Sequence, residues 1–354
     1  MLGKYFFPYV FTKIFPVFCF DIGSDTIKYS FNKNTYVIEK NICTIDTYTN
    51  KYVYFGNVSS NLIGRLDENF KIVRNVINGK FVDFDSLAEI ISYIFKNIRQ
   101  KNKNVFFKKP IIVCVAVPHE ITEIEINAIA DAFYVNGVIN VYFFDECFTH
   151  FFYLRHVINN ISTNTFVFMN LGYGKSFISI VNNGIIVKYL DINLSAEKIR
   201  NVVFKYILNK YNVKVSLEFV DKILSTLNLD LTSKNYETLE ILGLSMLDLT
   251  PKKIKISLNE ISQIIYDEFN LLSENIKLFL EKLSPEILTD IDNNGIFILG
   301  GLAKITGLSS FLKKMLDTNF VVCNFDFYNL VGLYKIYENR YLFKKLSLKS
   351  RLIV

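Results

Sequence analysis

Two stretches of the chain share one pattern. VFCFDIGSDTIKYSFNKN (residues 17–34) and FVFMNLGYGKSFISIVNNG (residues 166–184) each read as apolar strand, glycine turn and second strand. Setting Asp21 on Asn170 brings Gly23 onto Gly172, Ser30 onto Ser179 and Asn34 onto Asn183, a constant shift of 149 positions. One such hairpin constrains little, since most glycine turns only need a positive φ. Two in register constrain a great deal. The separation is too long for a solenoid repeat and predicts two similar lobes facing each other. A ligand would lie in the cleft, with each turn offering backbone N–H groups to phosphate. The GYGKS of the second stretch is not a Walker loop, which needs a glycine six positions before its lysine. Met169 stands there, and strands rather than a helix flank the turn.

A third glycine turn occurs in GIFILGGLAKITGLSSFLKKML, residues 295–316, where a buried strand meets Gly300 and Gly301. A helix follows with Leu308, Phe311, Leu312 and Met315 on one face. The double glycine lets backbone approach a flat ligand closely. Elsewhere the pattern is α/β. PIIVCVAVP is apolar on both faces, as in the centre of a sheet covered by helices. Ser86 with Glu89 and Thr122 with Glu125 have capping-box spacing before apolar helical faces. ISLNEISQIIYDEFNLLSENIKLFLEKL predicts one or two amphipathic helices.

With 354 residues, 51% of them hydrophobic and 15% aromatic, the chain can build a large core in two ordinary domains or one bilobed body. The net charge of +6 is spread along the chain with no basic stripe interleaved with aromatics, which argues against a nucleic-acid partner. Asn, Lys, Ile, Phe and Tyr are abundant, the bias of an AT-rich genome, so single Lys or Asn replacements carry little weight. Cys19, Cys43, Cys114, Cys147 and Cys323 have no metal or redox spacing and predict free thiols, mostly buried, in a reducing cytoplasm. His119, His150 and His156 form no zinc pattern.

The N-terminal MLGKYFFPYVFTKIFPVFCF is apolar, yet Lys13, Pro8 and Pro16 break it short of the roughly 20 residues a span needs. It has no small-residue cleavage site. VFCF is better used as the first strand. Residues 1–15 then fit either an interfacial membrane anchor or a tail packed on protein.

The order of these turns (phosphate hairpin, second phosphate hairpin, adenosine loop) resembles the actin-like ATPase superfamily and, within it, the MreB family. NLIGR (61–65), NVINGKFVDFD (75–85), VCVAVPHEITEIEINAIADAF, VYFFDEC, LSAEKIRNVVFKYILNKY and LEFVDKIL are similar to that family's segments in collinear order. The resemblance implies an actin-like fold, two duplicated lobes with mixed β-sheets covered by helices around a nucleotide cleft. It implies four subdomains. Residues 1–37, 78–152 and 325–354 form the first large one and 38–77 the small upper one. Residues 153–190 with 259–324 form the second large one, and 191–258 the small lower one. The implied cofactors are ATP and Mg²⁺. Asp21 and Asn170 would serve the metal. Gly23, Ser24, Asp25, Thr26, Gly172, Tyr173 and Gly174 would line phosphate. Glu218, Asp221, Gly300, Gly301, Leu302 and Ala303 would take the adenosine side, and Glu146 the attacking water. Lys28 stands where actin and ParM carry a phosphate-reaching lysine; a solvated strand lysine is the other reading.

Several residues depart from the family pattern. Asn170 replaces an aspartate and Tyr173 a glycine; Cys147 replaces a proline and Leu302 a glycine. Ser195 and Ala196 replace the paired glycines of the lower subdomain's entry turn. An amide keeps an oxygen ligand but loses the charge that organises metal and water, so at best a slow ATPase is implied. The function so implied is a nucleotide-binding, filament-forming protein that helps set cell shape, cytoplasmic and membrane-associated. Its partners would be itself, the inner membrane face through residues 1–15, and membrane proteins of a cell-shape or wall-synthesis complex. The alternative is a non-polymerising membrane-complex adaptor resembling FtsA or PilM, with hydrolysis lost. A small-molecule kinase ranks last, because no sugar-pocket aspartate is evident.

Overall fold

The computed structural model describes residues 16–101, 111–158, 164–229 and 238–349. The anchor expected at residues 1–15 lies outside them. No helix among the described residues is long and apolar enough to cross a membrane. The chain divides into two compact units, residues 1–160 with 327–354 and residues 161–326.

The first unit is built on a six-stranded sheet of β1 (Val17–Ile22), β2 (Thr26–Asn32), β3 (Thr35–Lys40), β9 (Ile111–Val117), β10 (Val138–Asp145) and β19 (Leu348–Lys349), in the order β19-β10-β9-β1-β2-β3. β1, β2 and β3 form an antiparallel meander, whereas β1–β9 and β9–β10 are parallel. Phe18, Phe20 and Ile22 alternate with residues of the opposite face and pack with Ile111, Val113, Val115 and Val117 in one core. That core takes its helical layer from α2 (Phe84–Lys101), through Leu87, Ile90, Ile91, Ile94, Phe95 and Ile98, and from α3 (Glu123–Tyr134). α4 (Glu146–Val157) packs on α10 (Tyr328–Glu338), and both contact β9. α11 (Arg340–Leu346) follows α10. A smaller antiparallel sheet, β5-β4-β6, comprises β4 (Ile42–Asp46), β5 (Lys51–Phe55) and β6 (Phe70–Arg74), with α1 (Gly56–Asn61) against it. A ribbon of β7 (Val76–Ile77) and β8 (Lys80–Phe81) then leads to α2.

The second unit repeats the plan. β11 (Thr165–Leu171), β12 (Ser176–Asn182) and β13 (Ile185–Ile192) make the meander; β17 (Ile296–Leu299) and β18 (Phe320–Val322) add in parallel, in the order β13-β12-β11-β17-β18. That order matches β3-β2-β1-β9-β10 strand for strand. A three-stranded antiparallel sheet of β14 (Val213–Lys214), β15 (Thr238–Ser245) and β16 (Pro251–Ser257) accompanies α5 (Ala196–Tyr211) and α6 (Leu217–Thr226). α7 (Leu258–Leu280) is one continuous helix whose Leu258, Ile261, Ile265, Phe269, Leu272, Ile276 and Phe279 enter the core at helical spacing. Lys188 Nζ donates to the carbonyls of Phe279 and Lys282 at its C-terminal end. α8 (Pro285–Asn294) starts with proline and stops at Gly295, whose φ is 75°. A 3₁₀ turn (Gly301–Lys304) and α9 (Leu308–Leu316) complete the unit.

One local expectation needs correction. The Thr122–Glu125 capping box is present in full, but Ser86 does not cap α2. That helix begins two residues earlier, and the Asp83 carboxylate accepts from the Ser86 N–H at 2.9 Å. Asp83 is the stronger acceptor and so wins the N-terminus. Met315 lies at the rim of the apolar face and is exposed, whereas Leu312 and Leu316 of the same turn pack on the core. Cys19, Cys43, Cys114 and Cys147 are buried free thiols, whereas Cys323 is only half-buried.

The packing of α4 on α10 tolerates no spare volume. A Cβ on Gly332 would collide with the Thr149 carbonyl, so only glycine lets the backbones meet. Beside it His150 is fully buried, with its ring centroid 4.9 Å from that of Tyr328. Burial, aided by the charge of Lys28, pushes its pKa from 6.5 down to about 3. Unfolding releases an imidazole that binds a proton below pH 6.5, so this contribution is complete above that pH and declines toward about pH 3. We expect acid denaturation curves of the wild type to lose up to about 1.4 kcal/mol per pH unit more than those of His150→Phe in that window. Matching slopes would show that His150 is not held neutral.

Candidate functional site

In the first unit, β1 and β2 are joined by a tight turn in which the Gly23 N–H donates to the Thr26 carbonyl at 3.0 Å. Asp21 ends β1 opposite Lys28 in β2, with Nζ and Oδ2 3.7 Å apart and both side chains largely buried. Lys28 also lies 5.3 Å from the centre of the Tyr328 ring. It is therefore not a solvated strand lysine: the register that places it across from Asp21 also places it under an aromatic face. The Asp25 carboxylate turns to Lys40 Nζ at 2.7 Å, which removes a repulsive charge from the turn. The Ser24 hydroxyl accepts from the Gly79 N–H at 3.1 Å, and Thr26 opens β2.

The second unit reproduces this geometry. The Gly172 N–H donates to the Lys175 carbonyl at 3.1 Å, and Asn170 pairs with Phe177 where Asp21 pairs with Lys28. A Cβ on Gly172 would strike the Lys175 carbonyl. Lys175 itself pairs with Asp191 on β13 at 3.0 Å. Ser195 caps α5 by accepting from the Lys198 N–H at 3.1 Å. The next two N–H groups of that helix, on Ala196 and Glu197, donate to the carbonyls of Gly172 and Tyr173 at 3.1 and 2.9 Å. The Tyr173 hydroxyl accepts from Arg200 Nη1 at 2.7 Å, while Nη2 pairs with Asp221 at 2.6 Å. The Tyr173 ring is thus drawn onto α5 and α6. The structure joins Tyr173 and Asp221 through Arg200 and leaves Glu218 exposed on α6. Gly174 completes the turn as a half-buried residue.

Gly300, at φ 96°, ends β17 against the Leu171 carbonyl, and a Cβ there would lie 2.7 Å from Asn170 Oδ1. The fold requires this glycine. It does not require Gly301, whose Cβ would meet nothing within 4 Å. Leu302 and Ala303 of the 3₁₀ turn are buried and join the core of this unit.

Glu146 is the first residue of α4 and is half-buried. Asp145 caps that helix by accepting from the Cys147 N–H at 2.8 Å and also pairs with His119 Nδ1. The donor atoms of His119, Asp145 and Cys147 lie within 4.8 Å of one another, a cluster that the helix cap and this ion pair explain.

The two turns suit phosphate. Each closes on a glycine N–H to carbonyl bond, and side chains beyond glycine would meet backbone oxygen, at 3.1 Å for Gly23. The open face at Gly301 suits a flat ring system. Asp21 and Asn170 offer hard oxygen donors of the kind Mg²⁺ prefers, one charged and one neutral.

A family model described as MreB/Mbl protein matches residues 17–332. The chain belongs to the MreB/Mbl family. Among curated relatives, the cell shape-determining protein Mbl of Bacillus cereus is 26% identical over 312 residues, covering 86% of this chain and 92% of the relative. The crystal structure of MreB5 of Spiroplasma citri bound to ADP is 21% identical and matches with a TM-score of 0.82, over 94% of this chain and 98% of that one. A MamK double helical filament, 13% identical, matches at 0.72 over 91% and 99%. With these likenesses the fold is the actin-like α/β fold of two duplicated lobes.

Sequence reasoning missed Asn41, Asn75 and Arg200. The Asn41 amide donates to the Gly23 carbonyl at 2.7 Å and accepts from the Asn75 amide; both residues are fully buried. In so asparagine-rich a chain the only available signal was their position, one on each side of the small upper sheet. Arg200 gave no signal, because its partners lie 27 and 21 residues away. Tyr173→Phe should cost roughly 1–2 kcal/mol, since it removes an acceptor from a largely buried guanidinium. Urea denaturation of the full chain measures this; an unchanged midpoint would rule out the Tyr173–Arg200 bond.

Proposed function

We propose that this chain is an ATP-binding, self-assembling cytoskeletal protein that acts in cell-shape control at the inner face of the membrane. The observation that carries the reading is the pair of identically registered glycine turns, one per unit, in a member of the MreB/Mbl family. Its curated relatives are named as cell shape-determining, its structural neighbours include an ADP-bound protein, and MamK forms a double helical filament. In this reading the backbone N–H groups around Gly23 to Thr26 and Gly172 to Gly174 take the phosphates. Gly300 to Ala303, with Glu218 and Asp221, take the adenosine side. Asp21 and Asn170 hold Mg²⁺, which would neutralise phosphate charge, and Glu146 orients water. This reading assigns the subdomains the boundaries expected from the resemblance.

Asn170 sets the chemistry. Its amide accepts a hydrogen bond or a metal but carries no charge, so water near it is poorly activated and turnover is slow. Wild-type protein with ATP and Mg²⁺ should bind nucleotide and pellet as filaments visible by electron microscopy, with little phosphate release. Asn170→Asp should raise phosphate release about tenfold or more with unchanged affinity; equal rates would remove Asn170 as the limiting residue. Gly301→Val should weaken ATP binding about tenfold while the nucleotide-free melting temperature holds, because its Cβ meets no protein atom. Full affinity in that variant would move the adenosine site elsewhere. Absence of both binding and pelleting in the wild type would favour a non-polymerising adaptor.

A further inference from the structure

The hairpin of β15 and β16 has one face in the core and one face outside. Ile241, Ile254 and Ile256 are buried, whereas Leu242 and Leu244 are exposed. The turn between the strands adds Met246, Leu247 and Leu249, of which Leu247 and Leu249 are 79% and 69% exposed. Five large apolar side chains thus share the end of one hairpin and stay outside the core of their own unit.

The turn that displays them is closed and ordered. Ser245 N–H donates to the Thr250 carbonyl at 2.9 Å, Leu249 N–H to the Ser245 carbonyl at 3.0 Å, and Met246 N–H to the Asn212 carbonyl at 2.8 Å. Leu249 is held at φ 57°, a conformation that bulky L-residues rarely adopt. Glycine or asparagine would relieve that strain, so a leucine here suits something outside the unit.

Charge identifies the partner. On the outer face, strand register sets Lys214 and Pro251 beside Leu244, Lys253 beside Leu242, and Lys255 beside Glu240. The finger therefore grades from leucine at its tip to lysine at its base. Lys214, Lys252, Lys253 and Lys255 are all exposed and outnumber the carboxylates Glu240 and Asp248. Glu240 is itself paired with Lys255 at 3.3 Å. An apolar tip above a lysine collar matches an anionic bilayer, whose acyl region would take the leucines and whose phosphates would meet the ammonium groups. Asp248, kept ionised by hydrogen bonds from Ser245 and Thr250, limits the finger to headgroup depth.

We propose that residues 242–255 form a membrane-contacting finger that inserts Met246, Leu247 and Leu249 into an anionic lipid surface. The inference rests on the membrane-side reading above and assigns a surface to it. The chain contains no tryptophan, so Leu247→Trp in the full-length protein is a unique reporter. With vesicles of phosphatidylglycerol and phosphatidylcholine its emission should shift to the blue and be quenched by brominated acyl chains, with a weaker response to pure phosphatidylcholine. Leu247→Ser combined with Leu249→Ser should lower vesicle affinity about tenfold or more at unchanged circular dichroism. If the Leu247→Trp protein sediments with vesicles while its indole emission stays solvent-like, the finger is overturned and the membrane reading stays intact. A blue shift on assembly without vesicles would overturn it in favour of a second copy of the chain. Failure of the wild type to bind any vesicle would overturn both.

Discussion

One hydrogen bond, made twice, organises each unit: a glycine N–H at the end of the first meander strand donates to the carbonyl three residues on. It closes the turn so tightly that the second strand returns in fixed register, and from that register the rest follows. Asp21 must face Lys28 and Asn170 must face Phe177, while Phe18 and Phe20 must face the helices. A slip of one residue would put the buried face of each strand into solvent. The next two strands add to the same edge of each meander in parallel, which requires helical crossovers and gives each sheet a helical cover, and β19 closes the first sheet antiparallel to β10.

The surroundings of the two turns differ where their backbones agree. In the first unit the bracing is by amides, Asn75 to Asn41 to the Gly23 carbonyl, and by Ser24 to Gly79. In the second, the N-terminal N–H groups of α5 hold the turn directly, and the Tyr173–Arg200–Asp221 chain adds a second attachment. A movement of α5 therefore acts on the second turn through backbone bonds and one of α6 through the Arg200 side chain, whereas the small upper sheet acts on the first through the Asn41 side chain and through the Asn41 N–H, which donates to the Asp25 carbonyl at 2.8 Å.

Much of this was legible in the sequence because it depends on periodicity. The duplicated hairpin, the doubly apolar β9, the Thr122 cap and the single face of α7 all follow from spacing, and the 149-residue shift aligns two hairpins that share one pairing pattern. What escaped depends on competition between groups distant in sequence. Ser86 and Asp83 both offer a cap, and only geometry decides for Asp83. The Lys28 side chain reads as solvated until Tyr328, about 300 residues away, is placed beneath it. Tyr173 reads only as a replaced glycine until Arg200, 27 residues away, is seen to hold its hydroxyl.

The charged side chains near the turns are already spoken for. Asp25 is held by Lys40, Asp21 lies beside Lys28, Lys175 is paired with Asp191, and Arg200 with Asp221. In the proposed reading, what remains to attract phosphate is the backbone of the turns, whose shape is fixed by the Gly23 and Gly172 hydrogen bonds. Dipoles held in this way need no reorganisation when an anion arrives and do not depend on which side chains stand nearby. In the same reading hydrolysis would have no such protection, because it would depend on a charge at one position, where this chain carries Asn170.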